Sequence, residues 1–374
     1  MRTLVLDGGP GSVRALADAL RAALLDAAPG TVLPLGPGES DADLRPDLPV
    51  EPGTALIVRT SGSTGAPKGV LLSATALRAS AEATHRRLGG AGTWLLAVPA
   101  HHIAGVQVVV RSLLAGTPLA VLPAGGFRGR PFVEAAADVL TATGPRYTAL
   151  VPTQLTRLLT EGGDALAALR AFDAVLVGGA ATAPTTLARA REAGVAVVTT
   201  YGMSETAGGC VYDGRPLDGV QVRITDDRVE LGGPTLAHGY RLDPESPDFA
   251  CGWFRTSDLG TLTDGVLAVH GRADDVINTG GEKVSPAAVE RVLTAQPGVV
   301  EACVVGLPDP EWGQRVAAAV VTTAPIPLAP LTDAVRAELG APAVPRPIRV
   351  FPTLPQRGPG KVDRAAVVTL LARD

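Results

Sequence analysis

Thr60-Ser61-Gly62-Ser63-Thr64-Gly65-Ala66-Pro67-Lys68-Gly69-Val70 is the stretch from which this chain is best read. A short apolar run, Ala55 to Val58, precedes it and reads as a buried strand. The loop offers hydroxyl donors, backbone N–H groups free of Cβ crowding, and one ammonium. Glycines let the backbone approach a polyphosphate, hydroxyls and amides donate to it, and lysine supplies a mobile point charge. A Walker A loop needs Gly-Lys followed by Ser or Thr, whereas Pro67 precedes Lys68 and Gly69 follows it. A flexible Gly/Ser linker would account for neither the lysine nor the preceding strand.

Lys68, Lys283 and Lys361 are the only lysines in the chain. Every other basic side chain is arginine, so lysine is expected where a compact, rotatable charge is needed. All three are read as lying in Gly-containing loops. At 374 residues the length suggests about two or three domains. A net charge of -4 gives no reason to expect nucleic acid or an anionic membrane as partner. Aromatics at 3% argue against a base-stacking surface. Cys210, Cys251 and Cys303 form no Cys-x-x-Cys and read as reduced thiols of a cytoplasmic enzyme. Met1 to Asp7 is too short for a signal peptide, and Arg111 and Gly116-Thr117-Pro118 interrupt the apolar region Val106 to Pro123, so no membrane insertion is expected.

Short apolar strands alternate with helices through the first two hundred residues. Val13, Leu16, Ala17, Leu20 and Leu24 recur at helical spacing behind Ser12 as N-cap, and residues 34–53 read as loop. Helices are expected at 73–88, 103–114, 131–141, 154–160 and 185–193, and strands at 93–98, 119–122, 147–151, 172–177 and 195–200. This alternation predicts an α/β fold, with mostly parallel sheets covered by helices. From about 211 to 270 short strands with Gly and Asp turns suggest a small β subdomain. After Gly271 a small α+β unit follows, with Ser285 capping a helix that starts at Pro286.

Ligands bind at strand-end loops of open α/β sheets. Three such loops are candidates. Beside the phosphate loop, Gly178-Gly179-Ala180 leaves a slot for a flat ring. In Tyr201-Gly202-Met203-Ser204-Glu205-Thr206, Tyr201 is placed to stack on a base, Ser204 to donate to a phosphate and Glu205 to hold Mg²⁺. Thr256-Ser257-Asp258-Leu259-Gly260 places Asp258 in a turn, where one carboxylate can accept both ribose hydroxyls; by itself it would be an ordinary turn residue. Arg272 is within reach of a phosphate or ribose, or forms a surface ion pair.

Together these motifs resemble the adenylate-forming superfamily of acyl-CoA synthetases, peptide-synthetase adenylation domains and luciferases. The resemblance runs from the loop at 60–70 to Gly360-Lys361. It implies an N-terminal adenylation domain over 1–272 and a mobile C-terminal domain over 273–374. It also implies that Lys361 and Lys68 are catalytic, that Thr60, Ser61, Gly62, Ser63, Thr64, Gly65, Gly179, Ala180, Tyr201, Gly202, Ser204, Asp258 and Arg272 bind ATP, and that Glu205 binds the metal. Asp274 resembles the hinge, and Gly280, Gly281 and Lys283 resemble the loop lining the pantetheine tunnel. Within the superfamily, Pro99-Ala100-His101-His102-Ile103-Ala104-Gly105 and the following Arg111 most resemble the 2-succinylbenzoate–CoA ligase family. That likeness puts His102, Arg111 and Gly178 at the acid, with Arg111 near the unreacting carboxylate of an aromatic dicarboxylic substrate; the alternative for His102 is a packed histidine at a helix start, and for Arg111 a solvated helix position. Two departures stand out. Only 59 residues precede Thr60, so part of the usual N-terminal subdomain is expected to be missing, and the loop before Lys361 lacks the family's usual Thr.

The implied reaction is adenylation of the acid by Mg²⁺·ATP, then transfer to coenzyme A, in menaquinone biosynthesis. A homo-oligomer is compatible with this set. The alternatives are another aryl- or fatty-acyl-CoA ligase of the superfamily, a P-loop-like kinase or ATPase, or a nucleotide-binding module without turnover.

Overall fold

The computed structural model describes residues 1–25, 30–60, 68–356 and 361–373. The expected phosphate contacts of Ser61, Gly62, Ser63, Thr64 and Gly65 therefore lie outside the described residues. The fold is mixed α/β. A five-stranded sheet has the order Arg2–Val5, Val32–Leu35, Leu56–Thr60, Lys68–Leu72, Gly239–Tyr240. Its first three strands are parallel, and Leu56–Thr60 pairs antiparallel with Lys68–Leu72. A seven-stranded sheet runs Arg215–Pro216, Gly208–Tyr212, Val197–Met203, Ala174–Val177, Arg146–Leu150, Thr93–Leu96, Leu119–Val121. Its five strands from Val197–Met203 to Leu119–Val121 are parallel.

Helix Ile103–Ala115 explains the most apolar part of the sequence. It packs against helices Pro10–Leu24 and Ala74–Leu88 on one side and the seven-stranded sheet on the other. A helix covered all round is apolar all round, and Val106, Val108, Val109 and Val110 are fully buried. Each such side chain contributes roughly 1.5–3 kcal/mol of transfer free energy. Among the described residues no helix is long and apolar enough to cross a membrane.

An antiparallel sheet built around Trp253–Thr263 follows, pairing with Arg228–Gly232 and Val266–Arg272. The last sheet pairs Ile277–Thr279, Glu282–Val284, Val299–Asp309, Gly313–Thr322 and Ile348–Val350, and carries its own apolar clusters with helices Pro286–Thr294, Ala329–Leu339 and Arg364–Leu371.

Several expectations are corrected. Gly9, not Ser12, caps the first helix, because Pro10 takes the first helical position; Ser12 Oγ instead donates to Asp7 Oδ1 at 2.5 Å. The 34–53 stretch begins with the end of strand Val32–Leu35 and contains a 3₁₀ turn, Ala42–Leu44. The buried Arg241 holds it down, donating to the carbonyls of Leu44 at 3.0 Å and Pro49 at 2.6 Å and pairing with Glu51 at 2.8 Å. Tyr201, Gly202 and Met203 are not loop: strand Val197–Met203 continues through them, since Gly208–Tyr212 folds back to pair with it. Asp258 is not in a turn but inside strand Trp253–Thr263, opposite Arg272, where the ladder supplies the backbone partners that a turn would have supplied locally. Lys68 and Lys283 sit on strands rather than in loops. Helices Gly163–Arg170 and Arg364–Leu371 were not anticipated.

Candidate active site

The C-terminal ends of the parallel strands open into a cavity of about 2250 Å³, closed on its far side by the last sheet and its helices. Thr60, Lys68, His102, Arg111, Gly178, Gly179, Ala180, Tyr201, Gly202, Ser204, Glu205, Asp258, Arg272 and Lys361 all line it. Asp274, Gly280, Gly281 and Lys283 do not. Two glycines are dictated by close approach: a Cβ on Gly202 would stand 2.2 Å from the Gly208 carbonyl, and one on Gly178 would stand 2.2 Å from Thr200 Oγ1.

The pairing of Thr60 with Lys68 brings both ends of the 61–67 segment together at the cavity edge. Lys68 Nζ lies 3.4 Å from Asp248 Oδ2 and 4.1 Å from the centre of the Tyr240 ring. Tyr240 donates its hydroxyl to Glu205 Oε1 at 2.9 Å. Burial raises the Glu205 carboxyl above the ordinary carboxylate range, against the opposing pull of Tyr240 and Lys68. Among the described residues no cluster of three or more His, Cys, Asp or Glu could cage a metal ion. A lone raised carboxylate with a second acid, Asp248, nearby suits Mg²⁺, which takes one or two carboxylates and fills its shell with phosphate oxygens and water.

Elsewhere in the cavity Tyr201 donates to Asp258 Oδ2 at 2.6 Å, tying two of the candidate nucleotide residues to each other. Burial raises Asp258, opposed by Tyr201 and by Arg272, whose Nη1 is 3.7 Å from Oδ1. Arg272 donates through Nε and Nη2 to the two oxygens of Asp274, at 2.9 and 2.6 Å. It thus links this pair to the residue expected to act as the hinge.

A further group of cavity residues centres on Arg111. The guanidinium is not solvated: it is buried to 3% exposure, 5.1 Å from the Trp94 ring, with Nη2 donating to Tyr212 Oη at 3.3 Å. Its Nε has no partner, and no acid among the described residues answers its charge. His102 caps helix Ile103–Ala115 by position only, its ring 4.2 Å from that of His101. Burial, with the adjacent His101 and Lys361, lowers His102 to about 4, against the opposing pull of Glu39. Lys361 therefore reaches the same space as His102 in this arrangement. The Gly280-Gly281 turn faces away, under the exposed Trp312.

Tyr212, Tyr240 and Asp248 are cavity residues that the motif reading missed, and Gln107, within the stretch from Pro99, was given no role. One signal for them existed: the chain has only four tyrosines, and three of them line the cavity. Cys210 and Cys303 are buried, which pushes their thiols up to about 12, so neither supplies a thiolate.

His85, whose buried Nε2 has no partner, is lowered to about 4 by burial and by Arg111. A group neutral in the fold and protonated when unfolded costs stability as pH falls from its unfolded value, about 6.5, toward about 4. Raised carboxylates such as Glu205 act in the opposite sense, so the difference between variants is the informative quantity. His85→Asn should reduce the loss in urea midpoint between pH 7 and pH 5; a wild-type-sized loss would contradict this.

A model of the AMP-binding enzyme family matches residues 12–241, and a model of the AMP-binding enzyme C-terminal domain matches residues 288–361. A probable 2-succinylbenzoate–CoA ligase of Mycobacterium tuberculosis is 50% identical over 340 residues, covering 88% of each chain. The o-succinylbenzoate CoA synthetase of Bacillus subtilis in complex with the acyl-adenylate intermediate OSB-AMP superposes with a TM-score of 0.77 at 25% identity, over 98% of this chain and 87% of that one. The same enzyme in complex with ATP and a magnesium ion superposes with a TM-score of 0.70 at 26% identity, over 91% of this chain and 79% of that one. The chain belongs to the AMP-binding enzyme family and, within it, to the 2-succinylbenzoate–CoA ligases.

Proposed function

We propose that this chain activates 2-succinylbenzoate with ATP and passes the acyl group to CoA, releasing AMP and pyrophosphate. The observation that carries the choice of acid is Arg111. A buried guanidinium without a counter-ion is costly, and an anionic substrate group entering the cavity would relieve that cost. A second carboxylate on the acid is such a group.

In the first half-reaction a carboxylate oxygen bonds to the α-phosphorus, and the bond to the bridging oxygen breaks. Pyrophosphate leaves with that electron pair. The protein's task is positioning and charge neutralisation. Lys68 exchanges Asp248 for the departing phosphates, with Thr60 paired beside it. Tyr201 and Gly178-Gly179-Ala180 frame the base, and Asp258 accepts the ribose hydroxyls. Glu205 would hold magnesium, which when bound draws charge from the phosphates. Lys361 neutralises charge at the carboxylate and α-phosphate. In the second half-reaction the C-terminal unit turns about Asp274, Lys361 withdraws, and Gly280, Gly281 and Lys283 line the thiol path. The CoA sulfur bonds to the acyl carbon, AMP leaves with the C–O electron pair, and the thiol proton passes to solvent.

A panel of 2-succinylbenzoate, benzoate and medium-chain acids, with nucleotide products identified, tests this. The expected result is AMP and pyrophosphate, and a kcat/KM for the diacid roughly a hundredfold or more above the monoacids. ADP as product, or equal turnover of benzoate, would refute it.

A further inference from the structure

The surroundings of Arg111 hold more order than a lone buried cation requires. Thr84, on helix Ala74–Leu88, donates its hydroxyl proton to the Ser80 carbonyl at 2.9 Å. Thr84 Oγ1 also lies 3.0 Å from Tyr212 Oη. A hydroxyl has one proton. With Thr84's proton committed to Ser80, the proton between the two hydroxyls belongs to Tyr212, which donates to Thr84. The Tyr212 oxygen is thereby left as an acceptor toward Arg111 Nη2 at 3.3 Å. Thr84 and Ser80 are fully buried and Tyr212 nearly so, which keeps water from scrambling the direction of this chain. On its other side the guanidinium meets the Trp94 ring, and its unpartnered Nε stays available. Gln107 Oε1, buried on the same helix as Arg111, likewise has no partner among the described residues.

We propose that Tyr212, oriented by Thr84, is the positioning residue that fixes Arg111 for the non-reacting carboxylate of the acid, and so sets the preference for diacids over monoacids. The hydroxyl does not touch the substrate. It holds one arm of the guanidinium so that the remaining donors are presented in a single orientation, sparing the reordering that would otherwise oppose binding. The inference rests on the diacid reading above.

The test compares three acids: 2-succinylbenzoate and the two acids that each lack one of its carboxylates. One of the two retains the group that reacts and serves as the monoacid. Tyr212→Phe keeps the ring and removes the acceptor. The ratio of kcat/KM for the diacid to that for the monoacid should fall about tenfold, through the diacid KM, as expected for a lost hydrogen bond to a charged group. The KM for ATP should stay at the wild-type value. Thr84→Val should move the ratio in the same direction, because the freed Tyr212 proton can then turn toward the guanidinium, and Thr84→Ser should restore it. A merely structural role would lower the melting temperature and depress both acids equally.

An unchanged ratio in folded Tyr212→Phe, or equal losses on both acids, would overturn the proposal. If Tyr212→Phe does not fold, the Thr84→Val and Thr84→Ser pair decides, and identical ratios for the two would overturn it. A wild-type enzyme that does not prefer the diacid sinks the underlying reading instead, so the two failures are distinguishable.

Discussion

Lys361→Ala will lose carboxylate-dependent ATP–pyrophosphate exchange by a factor on the order of a thousand, while thioester formation from preformed acyl adenylate falls only a few-fold. The reasoning starts from placement. Lys361 directly precedes Val362, which bridges back to Gln356. In the observed orientation Lys361 lines the cavity with Lys68, Glu205 and His102, while Gly280, Gly281 and Lys283 stay outside it. On the mechanism proposed above, this arrangement serves adenylation and not the thioester step. Charge develops at the carboxylate and α-phosphate, in a space where a single cation is weakly screened, and mutating one such donor typically costs several kcal/mol. Lys361→Arg should rescue poorly, because a planar fork cannot follow the approach of a compact ammonium. Equal losses in both half-reactions would remove Lys361 from the adenylation step.

Glu205→Gln is expected to lower exchange roughly a hundredfold at standard Mg²⁺ and to raise the Mg²⁺ concentration needed for half-maximal rate. The substitution keeps size and keeps an oxygen to accept from Tyr240, so the cluster of Tyr240, Lys68 and Asp248 retains its packing. It removes the charge. Burial raises the Glu205 carboxyl, so its charge is held at a cost that a bound cation would offset. Titration of Mn²⁺ followed by its paramagnetic signal gives a readout independent of turnover: the variant should bind the ion more weakly in the presence of ATP. An unchanged Mg²⁺ dependence together with unchanged Mn²⁺ binding would assign the metal elsewhere.

Much of the architecture was legible in the residue order because its causes are local. Ser285 caps its helix as expected, since a hydroxyl three residues before a free N–H needs no distant partner. The alternation of apolar strands with helices likewise predicted the parallel sheet. Two helices escaped for local reasons too. Gly162 and Gly163 look like a turn yet lead directly into Gly163–Arg170. Val367, Val368 and Thr369 have strand-like side chains, and only the Asp363 cap betrays the helix they occupy.

The residue order alone determined the chemical inventory: a glycine- and hydroxyl-rich loop, three isolated lysines, a short list of carboxylates and an arginine in an apolar helix. Pattern and propensity act over a few residues, so they are carried wherever the chain goes. Only the tertiary structure decided what those groups do to one another. It brought Lys68, Glu205, Tyr240 and Asp248 from four separate segments into one cluster, and joined Tyr201 to Asp258 across 57 positions. It turned Asp258 from a turn residue into a strand residue, and enclosed Arg111 between Trp94 and Tyr212 with no acid among the described residues to meet it. Burial and through-space charge depend on which distant segments pack together, and no local pattern encodes that.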